Sequence, residues 1–129
     1  MAIDTIMGKG QRVMVVDDVR EQREITSFML NKLGYTVSVA SIGEEATRLF
    51  SENGMDLVVL DMIMDPGIDG LETYKRLLTL QPGIKAVIAS GFSETQRVGE
   101  AQSLGAGAYL KKPYTIEQIG LALKAEFDT

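Results

Sequence analysis

Four short apolar runs in this chain each end on a residue that can hold or move a phosphoryl group. Val13-Met14-Val15-Val16 runs into Asp17-Asp18, and Leu57-Val58-Val59-Leu60 runs into Asp61. Ala86-Val87-Ile88-Ala89 stops at Ser90, and Ala108-Tyr109-Leu110 stops at Lys111-Lys112-Pro113. Short β-rich runs of this kind read as buried parallel strands. In an open parallel sheet, ligands bind outside the carboxyl ends of the strands. Three carboxylates, a hydroxyl and an ammonium then meet on one edge, a set suited to magnesium and phosphate.

Helix start signals fall between these runs. An Asp, Ser or Thr is followed three residues later by Glu or Gln at Asp18/Glu21, Ser41/Glu44, Asp69/Glu72, Ser93/Gln96 and Thr115/Gln118. That is the spacing of a capping box, in which two side chains satisfy otherwise orphaned N–H groups. Stop signals follow at Gly34, Gly54, Pro82-Gly83 and Gly105. Between the marks the apolar spacing is helical. It places Ile25, Phe28, Met29 and Leu33 on one face of the first helix, and Ala46, Leu49 and Phe50 on one face of the second. Leu71, Tyr74, Leu77 and Leu78 mark the third helix, and Ile116, Ile119, Leu123 and Phe127 the fifth. The fourth, from Glu94 to Leu104, carries only Val98, Ala101 and Leu104 on its stripe. Tyr35–Ala40 supplies the remaining strand. The order is (βα)5, an α/β doubly wound sandwich with a five-stranded parallel sheet and right-handed crossovers. Residues 1–10 read as an N-terminal linker and residues 11–129 as one domain.

The composition narrows the chemistry. A net charge of −5 without a Lys/Arg cluster argues against a nucleic-acid-binding surface. No segment approaches the roughly 18 apolar residues needed to cross a membrane, and residues 1–10 lack a signal-peptide core, so cytoplasm is the expected location. With no cysteine and no histidine, the chain has no thiolate chemistry, no Ser-His triad and no phosphohistidine of its own. The phosphoryl acceptor is then an oxygen.

Asp17-Asp18, Asp61, Ser90 and Lys112-Pro113, in this order on a (βα)5 chain, resemble the receiver domain of two-component response regulators. The resemblance spans Gln11 to Phe127, with Gly70, Gly91 and Tyr109 also in keeping. It implies the flavodoxin-like strand order 2-1-3-4-5. It also implies that Asp61 is the phosphoacceptor, attacking a phosphohistidine on a histidine kinase or histidine phosphotransfer protein. An anion attacking an anionic phosphoryl group needs a divalent cation, Mg²⁺ or alternatively Mn²⁺. By resemblance Asp18 binds it directly, Asp17 through water, and Asp61 and the Ile63 backbone carbonyl complete the protein ligands. Lys112 pairs with the acceptor carboxylate at rest and with a phosphoryl oxygen afterwards, and Ser90 donates to another. Tyr109 is the partner of Ser90 in a switch of the surface formed by the fourth helix, fifth strand and fifth helix, through which many receivers also form homodimers. The Lys112-Pro113 peptide is a candidate cis bond. One departure stands out: the loop proline, Pro66, lies five residues after Asp61 rather than four, the additional residue being in effect Asp65.

Each residue taken singly has an ordinary structural role, as cap, turn or solvated charge, and it is their joint placement at four strand ends that carries the reading. Two other classes are open. A haloacid-dehalogenase-like phosphatase also uses a strand-end Asp, magnesium, a hydroxyl and a Lys, but has a second Asp where this chain has Ile63. A non-phosphorylating pseudo-receiver is the other. Met7-Gly8-Lys9-Gly10-Gln11, together with the stretches after Leu60, Ser90 and Leu104, resembles the C-terminal receiver of a hybrid sensor histidine kinase, with residues 1–10 as a flexible tether.

Overall fold

The computed structural model describes residues 3–64, 67–91 and 96–129. Among these, five strands, β1 (Arg12–Val16), β2 (Thr36–Ala40), β3 (Leu57–Asp61), β4 (Lys85–Ser90) and β5 (Tyr109–Lys111), pair in parallel in the order β2-β1-β3-β4-β5. Helices α1 (Arg20–Lys32), α2 (Gly43–Asn53), α3 (Gly70–Leu80), α4 (Gln96–Ser103) and α5 (Ile116–Phe127) connect or follow them. This is the expected doubly wound sandwich and the expected strand order. The register sets Val16 beside Leu60, and Asp61 beside Ala89, so the acidic and hydroxyl-bearing strand ends finish level with one another.

The continuous apolar runs become two cores because strand side chains alternate between faces. Met14, Val16, Val58, Leu60, Ala86 and Ile88 pack with Ala46 and Phe50 of α2, Leu71, Tyr74 and Leu77 of α3, and Val98 and Ala101 of α4. Val13, Val15, Leu57, Val59, Val87 and Ala89 pack with Leu30 of α1 and with Ile119, Ala122 and Leu123 of α5. The first helix departs from expectation. It buries Thr26 and Leu30, whereas Ile25 and Phe28 are 50% and 66% exposed. The latter two line an apolar groove of about 560 Å3 with Ile3, Met29 and Ile116.

Residues 3–10 are packed on the domain, in place of the flexible tether expected from their lack of pattern. Ile3–Ile6 form a 3-10 turn, and Ile6 is buried against Gly120, where an added Cβ would lie 2.5 Å from its Cδ1. Two backbone bonds, Gly8 N–H to Leu33 O at 2.7 Å and Gly10 N–H to Gly34 O at 2.9 Å, tie the segment to the end of α1. A single buried isoleucine is worth roughly 1.5–3 kcal/mol, and one anchor of that size is too short to produce a periodic signal.

The helix starts are a mixture. Thr115 and Gln118 form the full capping box, and Asp69 accepts the Glu72 N–H at 2.9 Å. At α1 the cap position is Val19, one residue later than expected. The Asp17 carboxylate takes the Val19 N–H at 2.9 Å. At α2 the cap position is Ile42, and Ser41 pairs through its N–H and hydroxyl with Glu45 rather than Glu44, at 2.7 and 3.1 Å. Ser93, and with it the Ser93/Gln96 pair, lies outside the described residues, as do Asp65 and Pro66.

Candidate functional site

The carboxyl ends of β1, β3 and β5 bring Asp17, Asp18, Asp61 and Lys112 together. One carboxylate oxygen from each of Asp17, Asp18 and Asp61 lies within 4.8 Å of the others. Asp17 and Asp61 are buried and Asp18 is half-buried. Asp18, Asp61 and Lys112 line a depression of about 290 Å3 with Val19, Ile63 and Gly91. The Lys112 ammonium sits 2.5 Å from Asp17 and 3.5 Å from Asp61. Its hydrogen bond therefore goes to Asp17, and its interaction with Asp61 is the longer of the two.

The electrostatics follow from three negative groups sharing one cation. The Asp61 carboxyl is pushed up to about 6 by the balance of its surroundings, of which burial is the largest cause. Lys112 pulls it down, Asp17 and Asp18 push it further up, and the Ile63 N–H, bonded to the carboxylate, pulls it down. Burial alone lowers the Lys112 ammonium, but its bond to Asp17 and the charges of Asp61 and Asp17 outweigh this and leave it raised. The charge deficit and the oxygen-only donor set fit a hard divalent cation such as magnesium.

Ser90, at the end of β4, is 3% exposed, and its carbonyl accepts the Lys112 N–H at 2.8 Å. It lines a small cavity of about 30 Å3 with Met62, Ile63, Arg97 and Val98, adjacent to the carboxylates on the α4 side. Tyr109 is half-buried against the α2–α4 core beside Ile88. Lys112-Pro113 is a cis peptide. Gly70 has no room for a side chain, since a Cβ would stand 2.1 Å from the Asp61 carbonyl oxygen. Its N–H bonds to the Met62 carbonyl at 3.0 Å, so α3 starts directly on the end of β3.

Three features were missed in the sequence. Arg97 of α4 forms an ion pair with Asp69, the cap of α3. Glu44 packs its carboxylate against Gly67, whose φ is +99°, and accepts a long hydrogen bond from the Ile68 N–H at 3.4 Å. Tyr114 bonds to Thr26 beneath α1. The helical spacing offered no signal for the first two, because long-range contacts of solvated charged side chains have no sequence period. For Tyr114, a tyrosine directly after Lys-Pro and a threonine on α1 were visible but unremarkable.

A doubly wound parallel sheet with an acidic cluster and a lysine at its strand ends defines a class of phosphate-handling α/β domain. Within that class, residues 13–124 match the response regulator receiver domain. The chain is 32% identical over 115 residues to sporulation initiation phosphotransferase F of Bacillus subtilis (strain 168), covering 89% of this chain and 92% of that protein. It is 30% identical over 115 residues to the chemotaxis protein CheY of Thermotoga maritima, covering 88% and 95%. Among solved structures, a CheY-like response regulator receiver domain protein from Methanospirillum hungatei JF-1 superposes with a TM-score of 0.83 at 26% identity, over 92% of this chain and 94% of the other. The chain belongs to the response regulator receiver domain family of two-component signalling, whose members are phosphoacceptors.

Proposed function

We propose that this domain takes a phosphoryl group from a phosphohistidine, on a histidine kinase or a histidine phosphotransfer protein, onto Asp61. The observation that carries this is the Asp61 carboxylate itself, buried at the end of the central strand yet lining an open depression beside Asp17, Asp18 and Lys112. An Asp61 oxygen attacks phosphorus, the N–P bond breaks, and the histidine leaves with its electron pair. Asp17, Asp18, Asp61 and the Ile63 carbonyl would hold Mg²⁺ or Mn²⁺, which supplies neutralisation of charge on the incoming phosphoryl group. Lys112 stands at 3.5 Å from Asp61, within a small side-chain movement of any oxygen bonded there.

Ser90 and Tyr109 form the switch. Ser90 sits between the acceptor and the cavity below α4, so its movement toward a phosphoryl oxygen enlarges space on the side where Tyr109 packs. The α4-β5-α5 surface then changes shape and serves as output, and as the contact in a homodimer. The apolar Ile63 side chain, 50% exposed, stands where a phosphatase of the dehalogenase type carries its acid/base, which supports transfer to Asp61 over turnover of small substrates. The hybrid-kinase setting rests on sequence resemblance; the docking of Ile6 removes the flexible-tether argument for it, and an in-frame kinase domain upstream is its test.

Intact-mass measurement with acetyl phosphate tests the central reading. One phosphoryl group should add in the presence of Mg²⁺, none with the metal chelated, and none in Asp61→Asn. Full labelling of Asp61→Asn would end the assignment, and no labelling of the wild-type chain would point to a pseudo-receiver.

A further inference from the structure

Three polar side chains are bonded together beneath α1, in a position that apolar residues could fill. The Tyr114 hydroxyl lies 2.6 Å from Thr26 Oγ1, and Gln22 Nε2 donates to both, at 3.2 and 3.1 Å. Thr26 is 0% exposed and Tyr114 7%. A buried hydroxyl pair contributes little net stability over a well-packed apolar pair, because both groups give up water to form the bond. What it adds is direction: the Tyr114 ring has one seat from which its hydroxyl is satisfied.

That seat bears on the site through chain connectivity. Tyr114 follows Lys112-Pro113 directly, whereas Gln22 and Thr26 belong to the helix that starts just after Asp17-Asp18. The Lys112 backbone is tied on its other side to Ser90, by the N–H bond at 2.8 Å. Tyr114 is thus the counter-anchor of the loop, and it ties Lys112 to the same helix that fixes Asp17. The charges of Lys112 and Asp17 both act on the Tyr114 hydroxyl, so the cluster lies within electrostatic reach of the carboxylates.

We infer that Tyr114 is a positioning residue for phosphotransfer, its hydroxyl held by Thr26 and Gln22 so that the Lys112 ammonium is placed between Asp17 and Asp61. The lysine stem has four carbons and no preferred geometry of its own, so placement of its backbone decides which oxygens the ammonium reaches. The inference rests on the reading of Asp61 as acceptor, and its test includes one readout that needs no phosphorylation.

Tyr114→Phe in the full chain removes only the hydroxyl. In the metal-free protein the Lys112 Nζ resonance, read by ¹⁵N NMR of lysine side chains, should shift. The rate of phosphorylation by acetyl phosphate at saturating Mg²⁺ should fall roughly three- to tenfold, the scale expected of a modest misplacement. Thr26→Val, which leaves Gln22 bonded to Tyr114, should shift both readouts the same way by a smaller amount. The double variant should lose no more than Tyr114→Phe alone, since that change already removes every bond to the Tyr114 hydroxyl. Thr26→Ser, which keeps a hydroxyl, should retain the wild-type rate and resonance. An unchanged Lys112 resonance in Tyr114→Phe overturns the inference, whether the rate is unchanged or falls along with the melting temperature. If wild-type protein takes up no phosphoryl group, the acceptor reading fails, and the resonance still decides the positioning role.

Discussion

The Lys112 ammonium is hydrogen-bonded to Asp17 at 2.5 Å, closer than its 3.5 Å approach to the Asp61 carboxylate. Asp17 already accepts the Val19 N–H through its other oxygen, at 2.9 Å. Both of its oxygens are therefore engaged before any cation arrives, so a cation meets Asp17 through water or by displacing one of these donors. Lys112 and a divalent ion compete for one cluster of charge. Replacing Lys112 by Met should tighten Mg²⁺ binding by roughly tenfold, about 1.4 kcal/mol, and yet slow phosphorylation by acetyl phosphate. Calorimetric titration of Mg²⁺ into both proteins checks the first half, and weaker binding in Lys112→Met would contradict it.

Asp61 gives the metal-free protein a pH dependence of unusual sign. Its carboxyl is raised from 3.8 to about 6 by burial first, with Asp17 and Asp18 adding to the shift. The folded state therefore holds this proton at pH values where the unfolded chain has lost it. Stability contributed here is present at low pH and is lost as pH rises from about 4 to about 6. Asp61→Asn does not titrate, so it should match wild type near pH 4 and exceed it at pH 7.5. The gain should be on the order of 1–2 kcal/mol, after discounting for solvent at the open mouth of the site. Urea melts at the two pH values in chelator measure this. Added Mg²⁺ should shrink the gap by stabilising the wild type more than the variant, which has lost one of the carboxylates.

Ile6 makes residues 3–10 part of the folded unit. Its side chain is 1% exposed in the core formed by α1, α5 and one face of the sheet. Ile6→Ala should cost about 2–4 kcal/mol, in the range of other large-to-small core substitutions. An effect below about 0.5 kcal/mol in chemical denaturation would restore the tether.

The strands and the acidic site were legible because both depend on the same local pattern. A strand buried on two faces must be an unbroken apolar run, and in a parallel sheet its end must face the ligand edge. Val13–Asp18 and Leu57–Asp61 carry both messages at once. The buried face of α1 was misread because apolar residues on that helix cover more than one side. Ile25 and Phe28 outrank Thr26 in hydropathy, yet Thr26 is the buried residue, made acceptable there by a hydroxyl from Tyr114 at 2.6 Å. The partner is 88 residues away, beyond any window of periodicity. The cap of α1 failed for a related reason: Asp17 and Asp18 both could accept a backbone N–H, and the tertiary bond to Lys112 orients Asp17 for it.

Gly70 sets the distance between α3 and the acceptor strand. A Cβ there would stand 2.1 Å from the Asp61 carbonyl oxygen and 2.7 Å from the Met62 Cα, both backbone atoms with no side-chain freedom to give way. Gly70→Ala should therefore push the start of α3 off β3. We expect a loss of about 1–3 kcal/mol, the cost of overpacking, together with slower phosphorylation because the Asp61 backbone moves with it. Retention of wild-type melting and rate would show that the helix start relaxes freely.

Arg97 and Asp69 give α4 a salt-sensitive hold. α4 has only eight residues and buries two of them, Val98 and Ala101. It is braced on α3 by two ion pairs, Arg97 with Asp69 and Lys75 with Glu100, the latter at 3.3 Å. The side chains are between 32% and 50% exposed, so each pair contributes at most about 1 kcal/mol and is weakened by salt. A helix held this loosely can be released by a small change at the neighbouring cavity, which Arg97 lines with Ser90. Arg97→Met should raise amide hydrogen exchange across residues 96–103 by up to about fivefold at low salt, with little change in global unfolding. In wild type, 0.5 M salt, roughly three times physiological ionic strength, should reproduce most of that increase. Fluoroberyllate in Mg²⁺ should raise exchange of the same residues, and should do so less in the variant, where the brace is already gone. Equal protection of α4 in both proteins at low salt would show that apolar packing alone holds the helix, and the ion pair would have no part in the switch.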